Sequence, residues 1–294
     1  MAGETGYNTP TGKVVVRGTP HEILEKEVET ATNVKPGRLV KKGTTEAEIK
    51  VMDGISTPVG WVGWEQASPE FRQEAIGTAY TVNDTAPVLR GGPFVILAKQ
   101  APGFTSKAGD RMFSWGASGQ VAPGDYINGC PAVRIDFVKK TSEFDTGVVL
   151  ALGMWVRDVI AEATAAGAGG VTISVGIGGS GDDKGFLNAE VLASNTRISH
   201  NVGPTTTGAQ TLGAYLKTSE IKDASGTYTV QLNGAGYVGD GTSTAITYTT
   251  SNTTGVTGYI WVLMSGPGVI EVGTCIEGVD STGGEADVLV MNKL

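Results

Sequence analysis

Hydrophobic residues in this chain come in short runs that alternate with polar residues and end at turn residues. The clearest runs are residues 48–52, 94–98, 171–175 and 259–264. Turn signals such as Lys35-Pro36-Gly37 separate the runs, because proline fixes one backbone angle and glycine permits the next. Alternation with a period of two predicts strands, and short strands about every ten residues predict an all-β barrel or sandwich.

Three segments are less clear than these runs. Residues 21–29 fit neither a helical nor a strand period well, and residues 147–166 are rich in Ala, Leu, Met and Val. We predict strands for both, because the first leads into a turn and the second is followed by a β-branched run. For residues 66–73 we predict one helical turn, since Ser68 can cap it and Pro69 suits its first position.

Two similar apolar runs stand far apart in the chain, at residues 58–65 (PVGWVGWE) and residues 271–277 (EVGTCIE). Each has Val-Gly near its start and Glu at its end, which predicts two strands of one small β-domain closed by distant segments. Inserting a second domain between them costs little, because loop-closure entropy grows slowly with length. The predicted organisation is a flexible arm at 1–12, a β-barrel domain from 13–135 plus 267–294, and an inserted β-sandwich domain at 136–266.

Composition supports a folded, glycine-rich protein and narrows its partners. Glycine supplies 44 of 294 residues, which suits tight turns, and the lack of a G-x-y period excludes collagen. Hydrophobic residues make up 40% of the chain, which excludes a disordered protein. A net charge of −8 argues against nucleic acid, whose binders present a basic face. Cys130 and Cys275 form no CxxC pair, which predicts two separate thiols. With no secretory or membrane-spanning run, we expect a soluble protein made in a cytoplasm.

The sequence offers no arrangement typical of an enzyme, a metal site or a cofactor site. Residues 176–181 (GIGGSG) resemble a dinucleotide loop, but Asp182 and Asp183 follow where a phosphate-binding helix should begin, so we predict a hairpin turn. The spacing of these carboxylates matches no calcium-binding loop. His21 and His200 are isolated, and neither stands beside a nucleophile motif. We therefore expect no enzymatic activity, no cofactor and no metal.

The order of several short motifs resembles a known family. The motifs are residues 35–40 (KPGRLV), 58–62 (PVGWV), 83–93, 108–121 and a closing pair at 269–277 and 286–290. In this order they are similar to the small β-barrel capsid cement, or decoration, proteins of tailed bacteriophages and related archaeal viruses. The resemblance covers about half of the chain. Residues 136–266 have no counterpart there and resemble the jelly-roll-like β-sandwich modules that viruses carry on capsids and fibres.

This resemblance implies a structural function on a virion. A cement protein binds the outside of the assembled shell across neighbouring capsomers and stabilises it by mass action. The implied partners are the major capsid protein and further copies of this chain, with a homotrimer expected because clustering multiplies weak contacts. Our candidate capsid or subunit contacts are Tyr7, Arg38, Trp61 and Trp64.

An alternative function belongs to a different class. The inserted segment carries Trp155, Tyr215 and Trp261 beside Thr- and Gly-rich stretches. These aromatic residues would form the ligand face of a carbohydrate-binding or adhesion module on a virion fibre, with a host-surface glycan as partner. The two hypotheses assign different partners to the protein: the first an assembled shell, the second a sugar.

Overall fold

The structure is a computed structural model, which describes residues 13–30, 32–67, 72–165, 171–178, 186–192, 196–199, 221–222, 228–229, 237–238, 245–251, 255–266 and 268–294. Every regular element in these ranges is a strand, as the hydrophobic pattern predicted. The strands are β1 (Val15–Arg17), β2 (Glu22–Val28), β3 (Leu39–Lys42), β4 (Glu48–Val51), β5 (Gly60–Val62), β6 (Thr85–Arg90), β7 (Val95–Gln100), β8 (Arg111–Trp115), β9 (Gln120–Ile127), β10 (Cys130–Val138), β11 (Phe144–Val149), β12 (Trp155–Ala165), β13 (Val171–Ile177), β14 (Leu187–Leu192), β15 (Thr196–Ser199), β16 (Ile221–Lys222), β17 (Tyr228–Thr229), β18 (Tyr237–Val238), β19 (Ala245–Thr250), β20 (Thr257–Ser265), β21 (Glu271–Glu277) and β22 (Ala286–Asn292). Within the described ranges, no helix has the length and apolar character needed to cross a membrane.

Five strands close into a barrel in the order β2-β4-β3-β5-β6. β2 runs parallel to β4 and antiparallel to β6, with Glu22 opposite Arg90. Alternate side chains of these strands point into the barrel, as a period of two requires. The barrel core consists of Val28, Val34, Val40, Ile49, Val62, Tyr80, Ala86 and Val88.

Most remaining strands form two further sheets. The larger has eleven strands, ten of them in the order β1-β7-β22-β21-β8-β9-β10-β20-β12-β15, and the smaller has the order β11-β19-β13-β14. Their facing side chains share the largest core cluster, in which Val159 and Val262 of the large sheet accompany Ile173 and Tyr248 of the small one. Two sheets that bury their inner faces against each other form a sandwich, which confirms the predicted barrel-plus-sandwich fold class.

The ambiguous segments resolve as strands where they are described. Residues 21–29 contain β2, and residues 147–166 contain the end of β11 and all of β12. β12 pairs with β20 over most of its length, so tertiary pairing determines its conformation despite the alanine-rich composition. The helical turn predicted at residues 66–73 falls mainly on residues 68–71, which lie outside the described residues.

The two similar Val-Gly runs are both strands, but they occupy different sheets. Residues 58–65 contain β5 of the barrel, whereas residues 271–277 are β21 of the eleven-stranded sheet. Their side chains nevertheless belong to one core cluster, which includes Trp61, Val272 and Cys275. The barrel and the large sheet are therefore joined by a common core. The prediction that the two runs belong to one small domain stays a prediction.

The large sheet also continues across the predicted domain boundaries. The boundary between residues 135 and 136 falls inside β10, which pairs with β20 from Ala132 opposite Leu263 to Val138 opposite Thr257. The main core likewise combines residues from before the boundary with residues after it. Separate folding of residues 136–266 remains a prediction, and this continuity argues against it.

Candidate interaction surface

Two of the four predicted contact residues, Trp61 and Arg38, make their contacts inside the molecule. Trp61 is fully buried, and its indole Nε1 donates a hydrogen bond to Oδ1 of Asn292 at 2.9 Å. Asn292 ends β22, so this bond joins the barrel to the last strand of the large sheet. A side chain without exposed surface offers nothing to a partner, and the expectation that Trp61 is a contact residue does not fit this conformation.

Arg38 has a similar internal position. It is 5% exposed, and its guanidinium pairs with both carboxylate oxygens of Glu285, at 2.6 and 2.8 Å. Its other terminal nitrogen donates to the carbonyl oxygen of Ser118 at 2.6 Å. Arg38 thus connects the start of β3 with the carboxy-terminal segment and with the turn between β8 and β9. Both contacts to Glu285 come from one guanidinium nitrogen, Nη2, and charge-assisted hydrogen bonds of this kind are stronger than neutral ones.

Trp64 supports the point where the chain enters its first strand. The carboxylate of Glu65 accepts hydrogen bonds from the backbone nitrogens of Val14 at 3.0 Å and Val15 at 2.7 Å. The guanidinium of Arg72 lies 5.2 Å from the Trp64 ring centroid and donates to the Glu65 carbonyl at 2.8 Å. We call these five residues the arm anchor. Tyr7, the fourth predicted contact, lies outside the described residues.

Three exposed apolar side chains lie in or directly after two tight turns. Leu152 is 67% exposed, and Ile55 and Trp155 are both 40% exposed. In the turn at residues 151–154, Met154 donates its backbone N–H to the Ala151 carbonyl at 3.1 Å, and Gly153 has a φ of 83°. Glycine adopts this angle without strain. We call Ile55, Leu152 and Trp155 the apolar end.

The turn that carries Ile55 is held by Asp53. The Asp53 carboxylate accepts hydrogen bonds from the backbone nitrogens of Ile55 at 3.2 Å and Ser56 at 2.8 Å, and it pairs with Lys41 at 2.5 Å. Partial burial works to raise the pKa of Asp53, but these hydrogen bonds outweigh burial and lower the pKa. A methyl group placed on Gly153 would lie 3.3 Å from Ile55, so the two turns contact each other.

A cleft of about 460 Å³ opens beside Leu152. Its lining includes Trp115, the turn residues Gly116, Ala117 and Ser118, and Gly147 and residues 149–152 from the segment that ends at the turn of Leu152. Among the lining residues that the structure describes, none carries a charge. Its volume is within the range of ligand pockets. We call it the neutral cleft.

Sequence reasoning missed a charged network on the large sheet. Arg134 is 8% exposed and donates to both oxygens of Asp110, at 2.9 and 2.8 Å, and to Asp136 at 3.1 Å. Its guanidinium also lies 5.3 Å from the Tyr259 ring centroid. Burial raises the pKa of Asp136 and the charge of Arg134 opposes that rise. Asp136 is a neighbour of Arg134 on β10, but Asp110 and Tyr259 come from other parts of the chain, so no local motif could indicate the whole network.

The aromatic face of the adhesion hypothesis is only partly accessible. Trp261 is 8% exposed, and its Nε1 donates to Glu162 at 3.0 Å. Trp155 is exposed but lies opposite Ser265, four residues along β20 from Trp261. Tyr215 lies outside the described residues, as do the glycine loop after residue 178 and the adjacent acidic pair.

The described residues also show how the remaining candidate ligands are placed. Cys130 and Cys275 are both free thiols. Cys275 is buried, and burial raises its pKa to about 11, so it is a weak nucleophile at neutral pH. In the part of the chain that the structure describes, no group of three or more His, Cys, Asp or Glu side chains could hold a metal ion.

Comparison of this chain with protein-family models and with curated proteins finds no match in either.

Proposed function

We propose that the protein is a decoration protein that binds the outside of an assembled viral shell through its apolar end and stabilises the shell. The observation that carries the proposal is the exposure of Ile55 and Leu152 on two turns held by internal hydrogen bonds, and of Trp155 at the start of the strand that follows the second turn. Exposed apolar groups on a held backbone bind a partner without a large ordering cost. The motif order that resembles cement proteins supplies the identity of that partner.

The proposed partner is the major capsid protein, contacted across neighbouring capsomers. Burial of one large aliphatic side chain contributes about 1.5–3 kcal/mol, so a few contacts per subunit give weak binding. Repetition over a symmetric lattice, and clustering of this chain as a homotrimer, would strengthen it through effective concentration. On this proposal the protein resides on the virion exterior and acts mechanically, without catalysing a reaction.

The test is co-sedimentation with empty shells assembled from the major capsid protein of the same virus. The informative variant is Ile55→Ser combined with Leu152→Ser, because both side chains are exposed and their loss should leave the fold intact. We expect its dissociation constant from shells to rise at least about tenfold. The matched control is Ile23→Ser, which removes an isoleucine of similar exposure, 45% against 40% for Ile55, from β2 of the barrel.

Equal binding by the double variant and the control would contradict the proposed surface. Failure of the wild-type protein to sediment with shells at any salt concentration would contradict the proposed function. In that case the glycan hypothesis takes its place, and of the aromatic residues named in that hypothesis Trp155 is the exposed one within the described residues, so a sugar ring could stack on it. A glycan screen with Trp155→Ala as the control variant would then test it.

A further inference from the structure

We propose that the neutral cleft binds an extended, uncharged segment of the major capsid protein, which pairs as an added strand with the free edge of β11. This inference rests on the proposed function and goes one step further. It specifies which kind of capsid segment is bound and which backbone groups of this chain bind it. The apolar end and the neutral cleft then belong to one contact surface.

β11 is an edge strand. The smaller sheet has the order β11-β19-β13-β14, so among the described strands β11 has one neighbour, β19. A strand at the edge of a sheet presents N–H and C=O groups without a ladder partner, and these groups pair readily with another chain. A partner that binds such an edge through its own backbone is extended, because it adds a strand to the sheet.

The backbone groups of Val149 face the free side of β11. Val149 lies opposite Ala245 of β19. The Ala245 carbonyl accepts a hydrogen bond from the backbone nitrogen of Gly178 at 3.1 Å, so the backbone groups of Ala245 face β13 and not β11. Opposite residues of an antiparallel pair either exchange hydrogen bonds or both face away from each other. The Val149 N–H and C=O therefore face away from β19, and none of the described residues is found to bond to them.

This free edge lies at the neutral cleft, because Val149 is one of the lining residues. Leu152, three residues later, also lines the cleft and is 67% exposed as part of the apolar end. A partner that covers Leu152 therefore contacts the lining of the cleft, and the two surfaces are continuous. For this reason we assign the occupant to the capsid protein, the proposed partner of the apolar end.

The chemistry of the cleft favours an uncharged segment. None of its described lining residues carries a charge, and the lining includes the side chains of Trp115, Ala117 and Leu150. A charged side chain that left water here would find no lining residue of opposite charge, which makes its burial costly. The Val149 backbone offers one donor and one acceptor, which match the acceptor and donor of a peptide backbone.

Proline at position 149 tests the added strand directly. Val149→Pro removes the N–H that faces the cleft but no bond to β19, and proline is accepted where the N–H of an edge strand is free. The matched control, Val149→Ala, also shortens the side chain but keeps the N–H. In co-sedimentation with shells, we expect Val149→Pro to have a dissociation constant about fivefold higher than Val149→Ala, because one backbone hydrogen bond is lost. Equal binding by the two variants would overturn the inference.

A second pair of variants tests the charge of the occupant and does not depend on proline. Ala117 is exposed and lines the cleft, so Ala117→Glu and Ala117→Gln place side chains of similar shape there, one charged and one neutral. Both variants should keep the urea midpoint of the wild type. We expect shell binding to be at least about tenfold weaker for Ala117→Glu than for Ala117→Gln. Equal binding would contradict an uncharged occupant.

Photo-crosslinking identifies the occupant. Ala117 is replaced by the photoreactive residue benzoylphenylalanine, the shell-bound protein is irradiated, and the linked peptides are identified by mass spectrometry. We expect a capsid peptide without charged residues at the link. Links to a second copy of this chain, or no links from shell-bound protein, would overturn the inference while the proposed function stands. Failure of the wild-type protein to bind shells would instead contradict the proposed function, and this inference with it.

Discussion

Side chains have opposite roles in two regions of the molecule. One region is the junction between the barrel and the large sheet, and the other is the apolar end. At the junction, Trp61 and Arg38 are conspicuous in the sequence, yet both are buried and bonded to Asn292 and Glu285. At the apolar end, Leu152 lies in an unremarkable turn but is 67% exposed. The comparison teaches that prominent residues of a β-protein often hold sheets together, while accessible binding surface comes from its turns.

The largest expected effect comes from separating the sandwich segment from the junction. Residues 136–266 expressed alone would lack Phe104, Phe113 and Trp115, which belong to the same core cluster as their own apolar residues. This fragment would also begin inside β10, so β10 would lose part of its pairing with β20. We expect no cooperative thermal transition by circular dichroism or calorimetry. A sharp transition would show that this segment is an independent domain.

Breaking the ion pair of Arg38 should have the next largest effect. Glu285→Ala leaves a buried guanidinium with the Ser118 carbonyl as its remaining acceptor. Removing one partner of a buried pair costs about 3–5 kcal/mol of stability. Because Glu285 is partly exposed, we expect a loss at the lower end of this range. Urea denaturation measures the loss. The control is Arg38→Met with Glu285→Met, which should lose less because no charge remains unpaired.

Removing the acceptor of Trp61 should cost somewhat less. Asn292→Leu keeps the approximate side-chain volume but leaves the indole N–H of Trp61 without its buried partner, and it also removes the bonds of the Asn292 amide to Gly92 and Leu294. An unsatisfied buried donor costs about 1–3 kcal/mol. The control, Trp61→Phe with Asn292→Leu, removes donor and acceptor together. If the single variant proves as stable as the wild type in urea, the hydrogen bond does not join the barrel to the sheet.

A smaller effect should appear in alkaline solution. Burial raises the pKa of Cys275 from 9.0 to about 11 and that of Tyr80 from 10.0 to about 12. The unfolded chain therefore releases these protons first, so the stability that these two groups contribute is present below pH 9 and is lost as the pH rises from 9 to 12. Urea midpoints across this range measure the decline. In Cys275→Ala the part of the decline between pH 9 and 11 should become smaller.

The fold class was predictable because alternation and turn residues are local signals. β2 and β12 were correctly predicted as strands although their periods were ambiguous, since their flanks favoured extended structure. The sheet partners were not predictable. Nothing local in residues 58–65 and 271–277 indicates that β5 closes a barrel while β21 joins the large sheet.

The candidate site was harder to predict than the fold. Exposure of Leu152 depends on how the turn at residues 151–154 meets the turn of Ile55, two segments about a hundred residues apart. The burial of Trp61 likewise depends on Asn292 near the other end of the chain. Aromatic and basic residues were selected because interfaces favour them, but the same side chains are favoured in buried junctions.

The most direct test of the central claim is the melting temperature of assembled shells with and without this protein. Scanning calorimetry would record the shell transition at saturating wild-type protein, at the same concentration of the Ile55→Ser, Leu152→Ser variant, and with Ile23→Ser. A ligand that binds only the intact shell must raise its transition. We predict a rise with the wild type and with Ile23→Ser and a much smaller rise with the double variant. An unchanged shell transition at saturating wild-type protein would contradict the account.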